Sequence, residues 1–476
     1  MKKYIIVLNI FALLIACQSD DTYENLNEDP KNPTEVSPEF LFTSATVSLF
    51  DQMINLNVNT NIFRLLAQYL TPTTYTDEAN YNLNNRNIPD NHWSELFRDV
   101  LFDLKDAKRY LNDDETISSS DRDIKLGQIE VLEVITWQIL VDTFGNIPYS
   151  EALSPDETLL PEYDEASSIY DDLLARIDNA ITNLEGNGEG FTEADVIYKG
   201  DLSLWQKFAN SAKLRLAMRI ADVNPSKSQT ATEEAFNAGV FESQNDGAII
   251  EYQSSPPNTN PLWVDLVQSG RSDFVIANTL VDIMNELEDP RREYYFDENL
   301  EEGYKGGVYG VNNSYPSFTH IGDPFLDPEL PGILMDYVEV KFYLAEAAQR
   351  GYNVGQTAED HYNEAVKASV LYYEGTEAEY QTYIAQPEVA YDATNWREQL
   401  GTQFWIAMFD NGFQGWSGWR KYDSPQLNIP TTSGSPVPLR YTYPIDEQNL
   451  NTTNYEAASS AIGGDQQQTA LFWDIN

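Results

Sequence analysis

Cysteine and histidine are almost absent from this 476-residue sequence. The single cysteine is Cys17, so an intramolecular disulfide is excluded and an extracytoplasmic fold would depend on packing alone. The three histidines are His92, His320 and His361, and none has the spacing of a zinc motif. A G-x-S-x-G elbow, a P-loop and a G-x-G-x-x-G turn are also missing, so the common catalytic signatures are absent.

Basic residues are few. The chain carries 29 Lys and Arg against 76 Asp and Glu, a formal net charge of −47. Such a surface repels phosphate, which excludes a nucleic-acid partner and disfavours acidic polysaccharides as ligands. The acids are spread along the chain rather than gathered in a tail, so most of them belong to solvated faces.

Carboxylates leave one enzymatic alternative open. A glycoside hydrolase needs only two carboxyl groups a few ångströms apart, and a pair such as Asp289 and Glu298 could meet that need. Nothing in the sequence singles out a pair, so we expect a protein that is not an enzyme. We also expect no cofactor, although a structural calcium ion stays possible without an EF-hand loop.

Long apolar runs are missing beyond the N-terminus. Lys2 and Lys3 precede the apolar run 4–16, which is too short to span a bilayer and ends directly before Cys17. Small residues followed by a cysteine are typical of a bacterial lipoprotein signal, and an ordinary secretory signal is the alternative. We predict a signal peptide over 1–16, acyl chains on Cys17 that anchor the protein to a membrane, and a polar tether over 17–38. The remainder, 39–476, is predicted to form one domain.

Helical periodicity dominates the rest of the chain. Apolar residues recur every three or four positions over 93–111, and the segment 129–141 is apolar almost all round before Gly145 and Pro148 end it. Further helices are predicted over 169–184, 204–220 and 335–350. The last of these and the helix that follows it resemble a tetratricopeptide hairpin. The predicted fold class is therefore mainly α, with tetratricopeptide-like helical hairpins, long irregular loops and a few short strands.

Three irregular stretches combine aromatic rings with amides and cations. Pyranose rings stack on exposed aromatic side chains, and their hydroxyls bond to Asn, Asp, Gln and Arg, so these stretches predict a glycan-binding face. Burial of any one ring against the helical body is the alternative reading. Trp416 and Trp419 follow an aromatic helix and are predicted to be structural. The candidate glycan-binding residues are Tyr75, Tyr81, Asn84, Trp263, Arg271, Tyr309, Tyr315 and His320.

Short motifs spread along the chain carry a resemblance to a family. They are NEDPKNPT at 27–34, DTFGNIPY at 142–149, YKGD at 198–201, WQKFANSAKLRLAMR at 205–219, DPR at 289–291, AEAA at 345–348 and RYTYP at 440–444. In this order they resemble the SusD/RagB-like outer-membrane lipoproteins of Bacteroidetes. Ser19, Asp20 and Asp21 directly after Cys17 also resemble the surface-export signal of lipoproteins in that phylum.

The resemblance implies a location, a partner and a ligand. It implies a lipid-anchored protein, exposed on the outer membrane, that sits as a hinged lid on a SusC-like, TonB-dependent barrel transporter. It also implies that the protein captures a neutral oligosaccharide and delivers it to that barrel. The alternatives are a surface-anchored glycoside hydrolase, or a lid that binds peptides or only gates the barrel and has no affinity for glycans.

Overall fold

Helices form most of the fold because apolar residues line one face of nearly every long segment. The computed structural model describes residues 36–475. The predicted signal peptide, the predicted lipidation site Cys17 and the predicted tether up to residue 35 lie outside the described residues. Within 36–475, no helix is long and apolar enough to cross a bilayer.

The α-helices are numbered along the described chain. They are α1 Pro38–Ile54, α2 Phe63–Leu66, α3 Ile88–Ser94, α4 Asp103–Asp113, α5 Ser119–Phe144, α6 Ala166–Leu184, α7 Leu202–Arg219, α8 Pro225–Ala238, α9 Pro261–Trp263, α10 Asn278–Glu286, α11 Arg292–Tyr295, α12 Tyr337–Gln349, α13 Ala358–Tyr372, α14 Glu377–Ile384, α15 Trp396–Ala407, α16 Gly412–Tyr422, α17 Ile445–Leu450 and α18 Thr452–Ala461.

Consecutive helices pack in pairs. Helix α5 packs on α6, α7 on α8, α12 on α13, and α15 on α16, while α6 also contacts α7. Four short strands accompany them: β1 Leu70–Pro72, β2 Ala248–Ile250, β3 Phe274–Ile276 and β4 Gly332–Met335. The prediction of a mainly α fold with helical hairpins and a few short strands is confirmed.

The periodic segments lie where their patterns predict. The apolar positions of 93–111 line one face of a continuous helical stretch, in which a π-helical segment, Glu95–Phe102, joins α3 to α4. Every residue from Ile129 to Val141, except the half-buried Glu130, is buried inside α5. Helix α5 ends before Gly145, whose φ of +86° an L side chain rarely adopts. Trp416 is fully buried and its Nε1 donates to the Pro438 carbonyl at 2.8 Å, as a structural residue should.

The short strands bring the three irregular loops together. Strand β1 pairs antiparallel with β3, which places the loop after residue 72 beside the loop before residue 274. Backbone bonds then attach the third loop to β3: the Ile276 amide donates to the Thr319 carbonyl at 3.0 Å, and the Gly307 amide donates to the Ile276 carbonyl at 2.8 Å. All three loops therefore meet at β3.

Candidate functional site

A cleft of about 480 Å³ opens where the first two of these loops meet the loop after α1. We call it the Tyr75 cleft. The residues that line it come from three segments: Leu56, Asn57, Val58 and Asn59; Pro72, Thr74, Tyr75, Glu78 and Arg86; and Asp265, Ser269, Arg271, Asp273 and Phe274. Its walls thus combine one exposed ring, two guanidinium groups, three carboxyl groups and two amides.

Tyr75 presents its ring to the cleft, with 60% of the residue exposed. The guanidinium carbons of Arg86 and Arg271 lie 5.8 Å and 5.6 Å from the ring centroid. Cation–π contacts at these distances restrain the ring. The arrangement offers a flat apolar surface flanked by hydrogen-bond donors, which is what a sugar ring needs for stacking.

Each arginine beside Tyr75 is held by a carboxylate. Arg86 Nε donates to the buried Glu78 Oε1, and Arg271 donates to both carboxylate oxygens of Asp273. A paired guanidinium keeps one orientation at little entropic cost on binding. The two arginines are therefore positioned before a ligand arrives.

Asp265 is the third carboxyl group of the cleft. Its Oδ2 accepts a hydrogen bond from the Leu56 amide at 2.7 Å. Burial raises the pKa of Asp265 to about 6, although the Leu56 amide and the Arg64 guanidinium act to lower it. The carboxyl group is thus partly desolvated, and its charge changes near pH 6.

Tyr315 and His320 form a stacked pair beside the cleft. Their ring centroids are 3.8 Å apart with an interplanar angle of 15°, and the His320 Nε2–H donates to the Tyr315 carbonyl at 3.0 Å. Burial and the nearby Asp297 raise the pKa of Tyr315, and its hydroxyl bonds to the Ser272 side chain. Because Ser272 follows Arg271, the pair lies next to a residue that lines the cleft.

Two of the predicted site residues, Tyr81 and Tyr309, are buried. The Tyr81 hydroxyl accepts from Gln68 Nε2 at 3.0 Å, and the Tyr309 hydroxyl donates to the Leu65 carbonyl at 2.6 Å. Burial raises the pKa of Tyr81 to about 12. The expectation that these two rings face solvent is wrong, because partners beneath the loops satisfy their hydroxyls and the helical body covers their faces.

Trp263 and Asn84 lie outside the residues that line the cleft. Trp263 ends α9 and is half-buried, two residues before Asp265, and Asn84 is exposed in the turn that leads to Arg86. Of the eight predicted residues, the structure therefore places Tyr75 and Arg271 in the cleft, and the stacked pair Tyr315 and His320 next to it through Ser272. It does not place Trp263 or Asn84 in that group.

Sequence reasoning missed the carboxyl groups of the cleft. Glu78, Asp265 and Asp273 each lie within three residues of a predicted aromatic or cationic residue. That proximity was the only available signal, because nothing else in the sequence distinguishes these three acids from the rest of the 76 Asp and Glu residues. Nothing in the sequence indicates that Leu56–Asn59 lines the cleft. The segment follows helix α1, and its sequence does not show which loop it contacts in the fold.

Metal and histidine chemistry find no support among the described residues. No group of three or more His, Cys, Asp or Glu side chains within 36–475 could hold a metal ion. His92 is fully buried, and burial lowers its pKa to about 3. His361 is also buried, and its Nε2–H donates to the Val354 carbonyl at 3.0 Å.

Comparison with known proteins gives a consistent result. A family profile named SusD-like and described as "Starch-binding associating with outer membrane" matches residues 30–444. The comparison with curated proteins gave no match.

Solved structures agree with the family profile. A protein described as a chitin-binding protein is 26% identical, with a TM-score of 0.79 over 92% of this chain and all of that one. A chitin-binding SusD homologue from Flavobacterium johnsoniae is 27% identical, with a TM-score of 0.77 over 92% of this chain and 98% of its own. A SusD homologue from Bacteroides uniformis is 25% identical, with a TM-score of 0.79 over 92% of this chain and all of its own. The protein belongs to the SusD-like family.

Proposed function

We propose that this protein is a cell-surface lipoprotein that captures oligosaccharides in the Tyr75 cleft, delivers them to a SusC-like, TonB-dependent transporter and performs no bond chemistry. The observation that carries the proposal is the exposed Tyr75 ring with two ion-paired arginines within 6 Å of its centroid. The family's description as starch-binding, and the chitin-binding relatives, support a glycan as the ligand.

The affinity for a neutral oligosaccharide should be modest. Stacking on one ring and exchanging hydroxyl–water hydrogen bonds for hydroxyl–protein bonds yield little net free energy. We expect a Kd of about 1 μM or weaker, which corresponds to about −8 kcal/mol. Starch and chitin oligosaccharides are the first ligands to test.

Replacing the ring tests the site. Tyr75→Ala should weaken retention of the bound polysaccharide in affinity gels by about tenfold, equivalent to about 1.4 kcal/mol, without changing the melting temperature. Phe40→Ala is the matched control, because Phe40 is 73% exposed at the far end of α1, about 25 Å along the helix from the cleft. Equal retention of both variants and the parent protein would remove the cleft from the proposal.

The hydrolase alternative has one observation in its favour. Asp265 is a half-buried carboxyl group with a raised pKa, the character of a glycosidase general acid. The other two carboxyl groups of the cleft are each paired with an arginine, which leaves no unpaired carboxylate there to act as nucleophile or base. Incubation with starch, chitin and a wider polysaccharide panel should produce no new reducing ends, and any sustained release would establish the hydrolase.

The transporter partnership is tested separately from the ligand. Native purification from the outer membrane should recover the protein together with a large β-barrel. Recovery of a barrel without binding of any glycan would favour the gating or peptide-binding lid. Failure to recover a barrel would remove the delivery step and leave glycan capture untouched.

A further inference from the structure

The charges of the Tyr75 cleft do not balance. Its lining contains three acids and two bases, and the acids Glu78 and Asp273 are each bonded directly to an arginine. Those two pairs account for both arginines. With Asp265 ionised, the cleft carries one negative charge that its own bases do not neutralise.

The surroundings of Asp265 confirm that its charge is not compensated. Within residues 36–475 its carboxylate makes one hydrogen bond, from the Leu56 amide, and no Lys or Arg nitrogen lies within 4.0 Å of it. Arg64 acts on it from a distance. That guanidinium is already bonded to the Asp410 carboxylate at 3.0 Å and to the Ile54 carbonyl at 2.6 Å.

A half-buried carboxylate with one hydrogen bond from the protein still has acceptor capacity that faces the cleft. An ionised carboxylate accepts about four hydrogen bonds, and a desolvated one gains most from a charged donor. A ligand carboxylate or sulfate would instead face a like charge. The bound ligand should therefore bring a cation to Asp265.

We propose that the Tyr75 cleft prefers glycans that carry a free amino group, with a sugar ring stacked on Tyr75 and the ammonium group paired with the Asp265 carboxylate. The inference rests on the proposed function, because it assigns the charge of the ligand at that same site. It names one class of substrate, oligosaccharides with deacetylated amino-sugar units. It also explains why a strongly acidic protein keeps an unneutralised acid in its cleft.

A pair of matched ligands tests this preference. The β-1,4-linked hexamers of glucosamine and of N-acetylglucosamine share a backbone and differ in the free amine. Calorimetric titration at about pH 6.5 and about 0.15 M salt limits long-range attraction to the acidic surface. We expect the parent protein to bind the amine hexamer about tenfold more tightly than the acetylated one.

Asp265→Asn removes the charge and keeps an oxygen that can accept from the Leu56 amide. In this variant the ratio of the two affinities should fall to about one, with an unchanged far-UV circular dichroism spectrum as the check on folding. Asp77→Asn is the control, because Asp77 is an exposed acid on the loop that carries Tyr75 and does not line the cleft; it should keep the preference. Equal affinity of the parent protein for both hexamers, or a preference that survives Asp265→Asn, would overturn the inference.

A pH series on the parent protein gives a second measurement. Lowering the pH to about 4.5 protonates Asp265 and should abolish the preference. A preference that is unchanged at that pH would contradict the pairing. If neither hexamer binds while another polysaccharide is retained through Tyr75, this inference fails and the proposed function stands.

Discussion

At the scale of single residues, Asp265 makes the stability of the protein depend on pH. Its pKa of about 6 in the fold lies above the ordinary value near 4, so the folded state binds the proton more tightly than the unfolded chain. The contribution of this group to the free energy of unfolding is fully present at pH values below its ordinary pKa near 4. It is lost as the pH rises through about 6, the pKa in the fold.

Asp265→Asn should therefore change stability in a pH-dependent direction. At about pH 4 the variant and the parent protein should have similar free energies of unfolding, and at about pH 7 the variant should be the more stable of the two. Urea denaturation at both pH values measures the difference.

Asp114 is a control for which the opposite effect is expected, because hydrogen bonds from the Thr116 hydroxyl and amide lower its pKa. Asp114→Asn should therefore lower the free energy of unfolding at pH 7. An Asp265→Asn variant that is less stable than the parent protein at about pH 7 would contradict the assignment.

Single residues also show where sequence reasoning reaches its limit at the site. Tyr75 and Tyr81 lie six positions apart in one aromatic and amide-rich stretch, yet the first is exposed and the second is buried. The Tyr81 hydroxyl bonds to Gln68, which lies outside that stretch. Composition predicts that such a loop binds something, and only tertiary contacts decide which ring is available.

At the scale of elements, helix positions were predictable and loop contacts were not. The helix around 129–141 and the pair α12 and α13 follow from apolar periodicity and from stop signals such as Gly145. The meeting of three loops at β3 depends on pairing between strands that are about 200 residues apart. Strands of three residues carry too little pattern to reveal their partners.

Helix α16 approaches its neighbours closely because it contains glycines at 415 and 418. A Cβ added at Gly415 would lie 2.1 Å from the Tyr69 hydroxyl oxygen, and that fully buried hydroxyl is fixed by its bond to the Trp405 carbonyl. We predict that Gly415→Ala lowers the free energy of unfolding by about 1–3 kcal/mol through overpacking. This is the net loss, after the gain of about 1 kcal/mol that alanine gives over glycine in a helix.

Chemical denaturation checks this prediction. Ser226→Ala is the control, since Ser226 is exposed in helix α8 and should change the free energy of unfolding by less than about 0.5 kcal/mol. An unchanged or raised stability of Gly415→Ala would show that α16 does not pack as closely on Tyr69 as the structure has it.

At the scale of the whole molecule, the lipid anchor at Cys17 stays a prediction. We expect Cys17→Ala to abolish acylation and to move the protein from the membrane fraction to the soluble fraction, because no helix within 36–475 could hold it in a bilayer. Membrane fractionation and the mass of the N-terminal peptide measure the outcome. A variant that stays in washed membranes and is still acylated would contradict the prediction.

The central claim is that a helical body of the SusD-like family holds the Tyr75 cleft open to receive a glycan. The most direct measurement is a crystal structure of the protein grown with an oligosaccharide that it retains in affinity gels. The account predicts a sugar ring stacked on Tyr75, with hydroxyl or amino groups bonded to Arg86, Arg271 or Asp265. A sugar bound on another surface, with the Tyr75 cleft filled only by water, would contradict it.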